Sequence, residues 1–417
     1  MSEQQPASSI AEAAETLLAA IREREPALRA FAHLDDEAVR RAAHGLDAAG
    51  AEGLALRGLP VGIKDLIDTD DLPTEYGSAI YRGHRPRRDA AVVRLLRAAG
   101  ALLVGKTVTT EFALFQAGPT RHPLDPGRTP GGSSSGSAAA VAAGLLPVAL
   151  GTQTAGSITR PASFCGIVGF KPTFGAIDRD GVLPVSGTLD TVGLLARDVA
   201  AAAAVFDVLR SDRSAPSEAE PAARPTIGFA RPPEWDQAEQ STRDGIDELK
   251  RRLPDAGFDV QDVELPASFA GLVGAQNTIM EYEAARSLGP RCEGNWSLVS
   301  PRLTELLRRG ASIPERDYRR ALQLAHECRS ELGTVFPHLD ALLVPAARGE
   351  APPAEDGTGD PVFCRAWTLL GCPTVSLPLL TGPSGLPVGI QLVGALHDDD
   401  RLLAVAARLE RWHAGEA

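Results

Sequence analysis

TPGGSSSGSAAAVAAGLLPVALGTQTAGSITRPASFCG, residues 129–166, decides how the rest of the chain is read. Its first third has the composition of a flexible Gly/Ser linker. Linkers do not run on into a small-residue helix, a strand-like stretch and a second Ser/Gly turn, as this segment does. A helix of about eleven residues rises roughly 16 Å. A strand of about five residues returns roughly 17 Å. The two lengths match, so the spacing predicts that the turn at Ser133 and the turn at Ser157 meet at one end of the structure. The small-residue face SAAAVAAG permits close packing on a sheet. TAGS, residues 154–157, has no bulky side chain, and its successive amides can form a concave nest for a developing oxyanion. Pro161 suits the first turn of a short helix. Two readings stay open here: Gly-rich loops needed only for tight turns, or two halves of a site in which a serine reacts.

A reacting serine needs a base, and no histidine sits in a motif that would supply one. Lys64 is the candidate, in GIKD at the end of an apolar strand. A buried, desolvated lysine favours its neutral form and can accept a proton. The alternative is an ion pair with Asp65 or Asp68. Of 42 Lys and Arg residues only four are lysine: Lys64, Lys106, Lys171 and Lys250. Arginine cannot release its proton, so each remaining lysine is of interest.

Two short motifs are decoys. GALLVGKT, 100–107, matches the phosphate-cradling P-loop pattern, but a helix precedes it and its middle is apolar strand, which cannot curl around an anion. GSSSG, 132–136, matches the hydrolase nucleophile elbow, yet a turn precedes it where that motif needs a strand.

Further out, strands and helices alternate. Val92, Leu95, Leu96 and Ala99 form a helical stripe, Asp198 suits the N-cap of a helix through Leu209, and Leu402, Val405, Ala406 and Leu409 share one face of a closing helix. Residues 8–48 read as helices interrupted at Pro26. The alternation favours α/β layers, with strands after 340 returning to the sheet begun by the first half. The expected organisation is one large domain over 8–414. It has a core at about 57–210, an exposed connection at 211–225, a helical substrate-side part at about 238–335, and C-terminal strands and a helix at 338–412.

Composition bounds the partners. Net charge is −12, which argues against a polyanion held by clustered Lys and Arg, so no nucleic acid is expected. The basic run RGHRPRRD, 82–89, reads as a surface turn. No apolar run reaches membrane-spanning length, so no membrane is expected. Five cysteines form no CxxC pair, which reads as free thiols in a reducing cytoplasm. No metal-ligand pattern is present.

Three separated segments together resemble the amidase signature family: LPVGIKD, the stretch from Gly131 through Pro172, and GLPVGIQLVG with DDDRLLAVAARLE. The resemblance implies a mixed, twisted sheet covered by helices on both faces, an α/β fold. It also implies a Ser–cis-Ser–Lys triad. Ser157 would be the acyl-forming nucleophile, Ser133 the bridging serine after a cis peptide, and Lys64 the base. The amides of Thr154, Ala155, Gly156 and Ser157 would form the oxyanion hole, and no cofactor is needed. Two positions depart from the family pattern: Ala155 where Gly is common, and Gln153 where Asp is common.

Arg160 falls third after the nucleophile, as in the malonamidase-type branch, where such an Arg binds a substrate carboxylate. The alternative is an Arg that holds the loop through a backbone or Asp contact. Thr152 and Gln276 are candidates for the same pocket. The expected activity is that of an amidohydrolase cleaving a linear carboxamide through a seryl acyl-enzyme. The expected substrate is small and carboxylate-bearing, such as malonamate, with a homodimer as one assembly. The rival reading is an A-type subunit of an aminoacyl-tRNA amidotransferase, which works with partner proteins.

Overall fold

The computed structural model describes residues 9–50, 53–212 and 223–415 of the chain. The connection expected at 211–225 falls mostly on 213–222, outside the described residues.

Helix α1 (Ile10–Leu28) opens on a capping box in which Ser9 and Glu12 satisfy each other's backbone N–H. It runs through Pro26, where the sequence predicts an interruption. A proline close to a C-terminus removes one donor but leaves the last turn closable, here by Arg29 N–H to Glu25 O. Strand β1 (Phe31–His33) and helix α2 (Asp36–Ala48) follow, then β2 (Pro60–Lys64), α3 (Ala91–Ala98) and β3 (Leu102–Thr107). The signature segment folds as α4 (Ser135–Ala142), β4 (Val148–Gln153), α5 (Thr159–Cys165) and β5 (Val168–Lys171). Strand β6 (Thr191–Ala196) leads into α6 (Val199–Leu209), capped by Asp198 as its sequence suggests. Then come β7 (Thr226–Ala230), α7 (Gln240–Arg252), β8 (Asp259–Val263), α8 (Leu272–Cys292), α9 (Pro301–Ser312), α10 (Glu315–Ser330) and α11 (Leu332–Val335). The chain closes with β9 (Ala341–Pro345), α12 (Val362–Leu370), β10 (Thr374–Thr381), β11 (Pro387–Val393) and α13 (Asp399–His413).

All eleven strands among the described residues join one mixed sheet in the order β1-β3-β2-β4-β6-β5-β10-β11-β9-β7-β8. The late strands do return to the first half, because β10 pairs with β5. Every residue of β4 and β6 is buried, as strands covered on both faces must be. Alternation sorts their side chains. Val148, Leu150, Val192 and Leu194 enter the core that includes α3, α6 and α13 residues. Ala149 and Leu195 enter the core with Ala138, Ala139 and Ala140 of α4.

The small face of α4 has a concrete reason. A Cβ on Gly136 would stand 2.2 Å from Ala30 O and 2.3 Å from Val108 N, so only glycine admits the helix this close to the chain before β1 and the chain after β3. The P-loop-like stretch is β3 itself, and its Lys106 is buried against Asp65 at 3.1 Å.

Strands β2 and β4 are parallel neighbours with Ile63 opposite Leu150. Lys64 and Thr152 therefore emerge together at the carboxyl ends of two adjacent strands, where open α/β sheets place their sites.

Candidate active site

Lys64 is fully buried. Its Nζ lies 2.8 Å from Ser133 Oγ, 3.0 Å from Ser134 Oγ and 2.7 Å from Thr152 Oγ1. No carboxylate pairs with it among the described residues. Asp65 faces Lys106, and Asp68 accepts from Tyr76 Oη at 2.8 Å. Burial pushes the Lys64 ammonium well below the ordinary lysine range, and the Asp190 carboxylate opposes that shift. A neutral amine offers two donors and one lone pair. Three surrounding hydroxyls can meet all of them, with one hydroxyl donating into the lone pair.

Ser133 follows a cis Gly132–Ser133 peptide. Its carbonyl accepts from Thr110 N–H at 3.2 Å. The run of three serines thus divides its work: Ser133 and Ser134 both reach Lys64, and Ser134 Oγ also lies 3.4 Å from Thr152 O. The part played by Ser134 has no signal in the sequence beyond its place in the same serine run.

The turn bearing Ser157 is held from outside by its carbonyls. Thr154 O accepts from Gln276 Nε2 at 2.9 Å, Ala155 O from Thr368 Oγ1 at 2.7 Å, and Gly156 O from Arg160 N at 2.9 Å. In a planar trans peptide the N–H points opposite to the C=O. The N–H groups of Ala155, Gly156 and Ser157 are therefore turned away from these anchors. None of the three donates to a protein acceptor among the described residues. Such a set of unengaged donors can receive an oxyanion.

Both departures from the family pattern have a local explanation. Ala155 is not among the residues with positive φ, so its Cβ is tolerated. Gly156 is required by contact: a Cβ there would stand 2.7 Å from Pro361 Cβ and 3.0 Å from Cys364 Cβ, against α12. Gln153 Oε1 accepts from Ile158 N–H at 2.8 Å and Thr159 N–H at 3.0 Å, the role a carboxylate could fill. Its Nε2 also donates to Thr368 Oγ1 at 3.0 Å, which a carboxylate cannot do. Gln153→Leu leaves two buried N–H groups without an acceptor. We expect it to cost about 1–3 kcal/mol in urea unfolding and to slow reaction of Ser157 with a fluorophosphonate.

The expected pocket residues lie close to this machinery. Thr152 bonds Lys64, and Gln276 bonds the Thr154 carbonyl while its own Oε1 accepts from Arg365. Arg160 is buried, and its Nη2 donates to Gly132 O at 2.6 Å and to Thr358 Oγ1 at 3.2 Å. Its Nε and Nη1 are buried with no protein partner. Burial pushes the guanidinium down to about 10. The contact with Gly132 O fastens the carbonyl just before the cis bond.

A cavity of about 500 Å³ lined by Phe164, Asp360, Pro361 and Arg365 adjoins the turn. A second, of about 510 Å³, shares Phe115, Asp356 and Gly359 with it. A larger one, of about 740 Å³, lies at the ends of β7 and β8. None of Lys64, Ser133 and Ser157 lines any of these three cavities. Asp70, Asp71 and Asp89 cluster within 4.8 Å of one another. Arg97 already pairs with Asp71 at 2.6 Å and Asp89 at 2.9 Å. No described helix is long and apolar enough to cross a membrane.

Residues 12–403 match the family model described as Amidase. The chain is 35% identical over 460 residues to the A-type subunit of the glutamyl-tRNA(Gln) amidotransferase of Chloroflexus aurantiacus, covering 96% of this chain and 93% of that one. It is also 35% identical to the protein of the same name from Anaeromyxobacter dehalogenans, covering 97% and 93%. A crystal structure of an amidase superposes with a TM-score of 0.89 at 34% identity, covering 97% of this chain and 96% of that one. These relatives overturn two expectations from sequence. A stand-alone amidohydrolase for a small carboxylate-bearing amide is replaced by likeness to one component of an amidotransferase. The exclusion of nucleic acid falls with it, because net charge speaks to direct contact and not to what an assembly handles. By its family match and its likeness over nearly the whole chain, the protein belongs to the amidase family and is an enzyme acting on C–N bonds.

Proposed function

We propose that this chain is the amide-cleaving, A-type subunit of an aminoacyl-tRNA amidotransferase. It takes nitrogen from a primary amide at Ser157 and passes it on for transfer to glutamyl-tRNA(Gln). The observation that carries this reading is the end-to-end likeness to relatives named as the A-type component of the glutamyl-tRNA(Gln) amidotransferase. The acidic surface, with a net charge of −12, fits a chain that leaves the tRNA to partner proteins.

In this reading Lys64 accepts a proton from Ser133 as Ser133 accepts one from Ser157. Ser157 Oγ forms a bond to the amide carbon, and the oxyanion settles on the amides of the Ala155–Ser157 turn. Thr154 supports this nest from outside, its carbonyl accepting from Gln276 and its hydroxyl donating to Asp190. The C–N bond breaks as Ser133 returns the proton to the leaving nitrogen, giving an acyl-enzyme and ammonia. Water then attacks the acyl carbon by the same relay. Thr152 and Gln276 act on Lys64 and on the turn. Arg160, the feature shared with the malonamidase-type branch, fastens the cis-Ser133 turn through Gly132 O. The helical part at about 238–335 contributes Gln276 from α8, which holds the turn from outside by the Thr154 carbonyl.

The test is an extract of the source cells depleted of this chain. Conversion of glutamyl-tRNA(Gln) to glutaminyl-tRNA(Gln) should fall, and purified chain should restore it where the Ser157→Ala variant does not. Undiminished conversion in the depleted extract would overturn the proposal.

A further inference from the structure

Asp190 ends the loop that enters β6, and its neighbour Thr191 stands opposite Gln153 of β4. That register puts its carboxylate beside the start of the Ser157 turn. Oδ1 accepts from Thr154 Oγ1 at 2.6 Å, and Oδ2 accepts from Val185 N–H at 2.8 Å and Ser186 N–H at 2.9 Å. The residue is only 7% exposed. Both oxygens act as acceptors, as an ionised carboxylate requires. The loop is fastened from its other side, where Ser186 Oγ donates to Glu283 Oε2 at 2.6 Å.

We propose that Asp190 is a positioning residue for the reaction at Ser157. Its carboxylate anchors the oxyanion turn through Thr154 and supplies the negative charge that balances the Lys64 ammonium formed during the relay. This rests on the triad reading given above. Lys64 has no carboxylate in contact among the described residues, so the cation it becomes on accepting a proton is otherwise uncompensated in the buried interior it occupies. Charges act over longer range in such a medium than in solvent. Asp190 is the group whose charge favours the protonated form of Lys64. Burial pushes the Asp190 carboxyl up, while its three donors and Arg179 hold it down. The charged groups facing it are Lys64, Arg179, whose Nη1 donates to Asp190 O at 3.0 Å, and Glu283 through Ser186. A resting, neutral Lys64 returns no charge to Asp190.

The probe is the second-order rate of labelling by a fluorophosphonate, followed against pH in the purified chain. The Ser157 Oγ–P bond forms, the P–F bond breaks, fluoride leaves, and the serine proton passes through Ser133 to Lys64. Neutral Lys64 is required, so the rate falls as pH drops through the Lys64 midpoint. Thr154→Val should slow labelling about tenfold with that midpoint unmoved, and Thr154→Ser should recover the rate. Asp190→Asn should slow it about a hundredfold and move the midpoint to lower pH, because Lys64 loses the charge that favours its protonation. An unmoved midpoint in Asp190→Asn would overturn the electrostatic role. A wild-type rate in Thr154→Val would overturn the anchoring role, and that variant decides alone if Asp190→Asn does not fold. Lys64→Met labelled at the wild-type rate would instead sink the triad reading itself.

Discussion

We expect Ser157→Ala to abolish amide cleavage and fluorophosphonate labelling while leaving the fold intact. The substitution removes one oxygen from a turn whose shape is set elsewhere. Gln276 and Thr368 hold its carbonyls, and Gln153 holds the N–H groups at the start of α5. Thermal unfolding should therefore shift by no more than about 2 °C, the range of a neutral substitution in a chain of this size. Loss of the nucleophile removes covalent catalysis altogether. The expected fall in rate is about 10⁴- to 10⁶-fold, the remainder being what the oxyanion donors and binding provide alone. Nitrogen transfer in the restored extract and labelling of the purified chain read the same loss independently. Retention of either above a hundredth of wild type contradicts the assignment.

Lys64→Met separates the base from the nucleophile. Methionine nearly matches the length of the lysine stem and suits a fully buried position, but it cannot accept a proton. The expected loss is about 10³- to 10⁵-fold, with Ser157 still present and the turn undisturbed. Stability supplies a second readout with a definite sign. The folded chain holds Lys64 below its ordinary range, so the unfolded chain binds more protons at this position. Its stability contribution is complete above the unfolded lysine value of about 10.4 and declines as pH falls toward the folded midpoint. The Lys64→Met variant lacks that slope. Its stability relative to wild type should therefore rise as pH is lowered from about 10 toward neutrality, as measured by urea titration at several pH values. A constant difference across that range would mean that Lys64 is charged in the folded state.

The signature segment of the fold was readable because its constraints are local. The two serine turns lie at either end of one helix and one strand, and matching the rises of those elements brings them together. In the structure α4 is shorter than the spacing suggests, yet the two ends are still tied together, since Arg160, three residues after Ser157, donates from Nη2 to Gly132 O beside Ser133 at 2.6 Å. The α/β character followed from alternating periodicities, and the return of the C-terminal strands was legible in their apolar runs. What escaped notice depends on long-range pairing. Strand β1 is three residues long and exists only because β3 pairs with it. The continuation of α1 past Pro26 depends on how its last turn closes. Asp190, Thr368 and Arg365 act on the Ser157 turn from 33, 211 and 208 residues away, a separation at which periodicity carries no signal. The substrate was the least legible feature. A guanidinium near a nucleophile is compatible with carboxylate recognition and with fastening a loop, and only coordinates reveal the Gly132 carbonyl at its tip.

Peptide mapping of the wild-type chain after fluorophosphonate labelling most directly tests whether Ser157 is the group that reacts. Ser133, Ser134, Ser135 and Ser137 are all buried in the neighbouring serine run, and each carries a hydroxyl that competes for the reagent. A single adduct on Ser157 is expected, because the relay runs from that hydroxyl toward Lys64. An adduct on Ser133 or another serine of the run, with Ser157 unmodified, would contradict it.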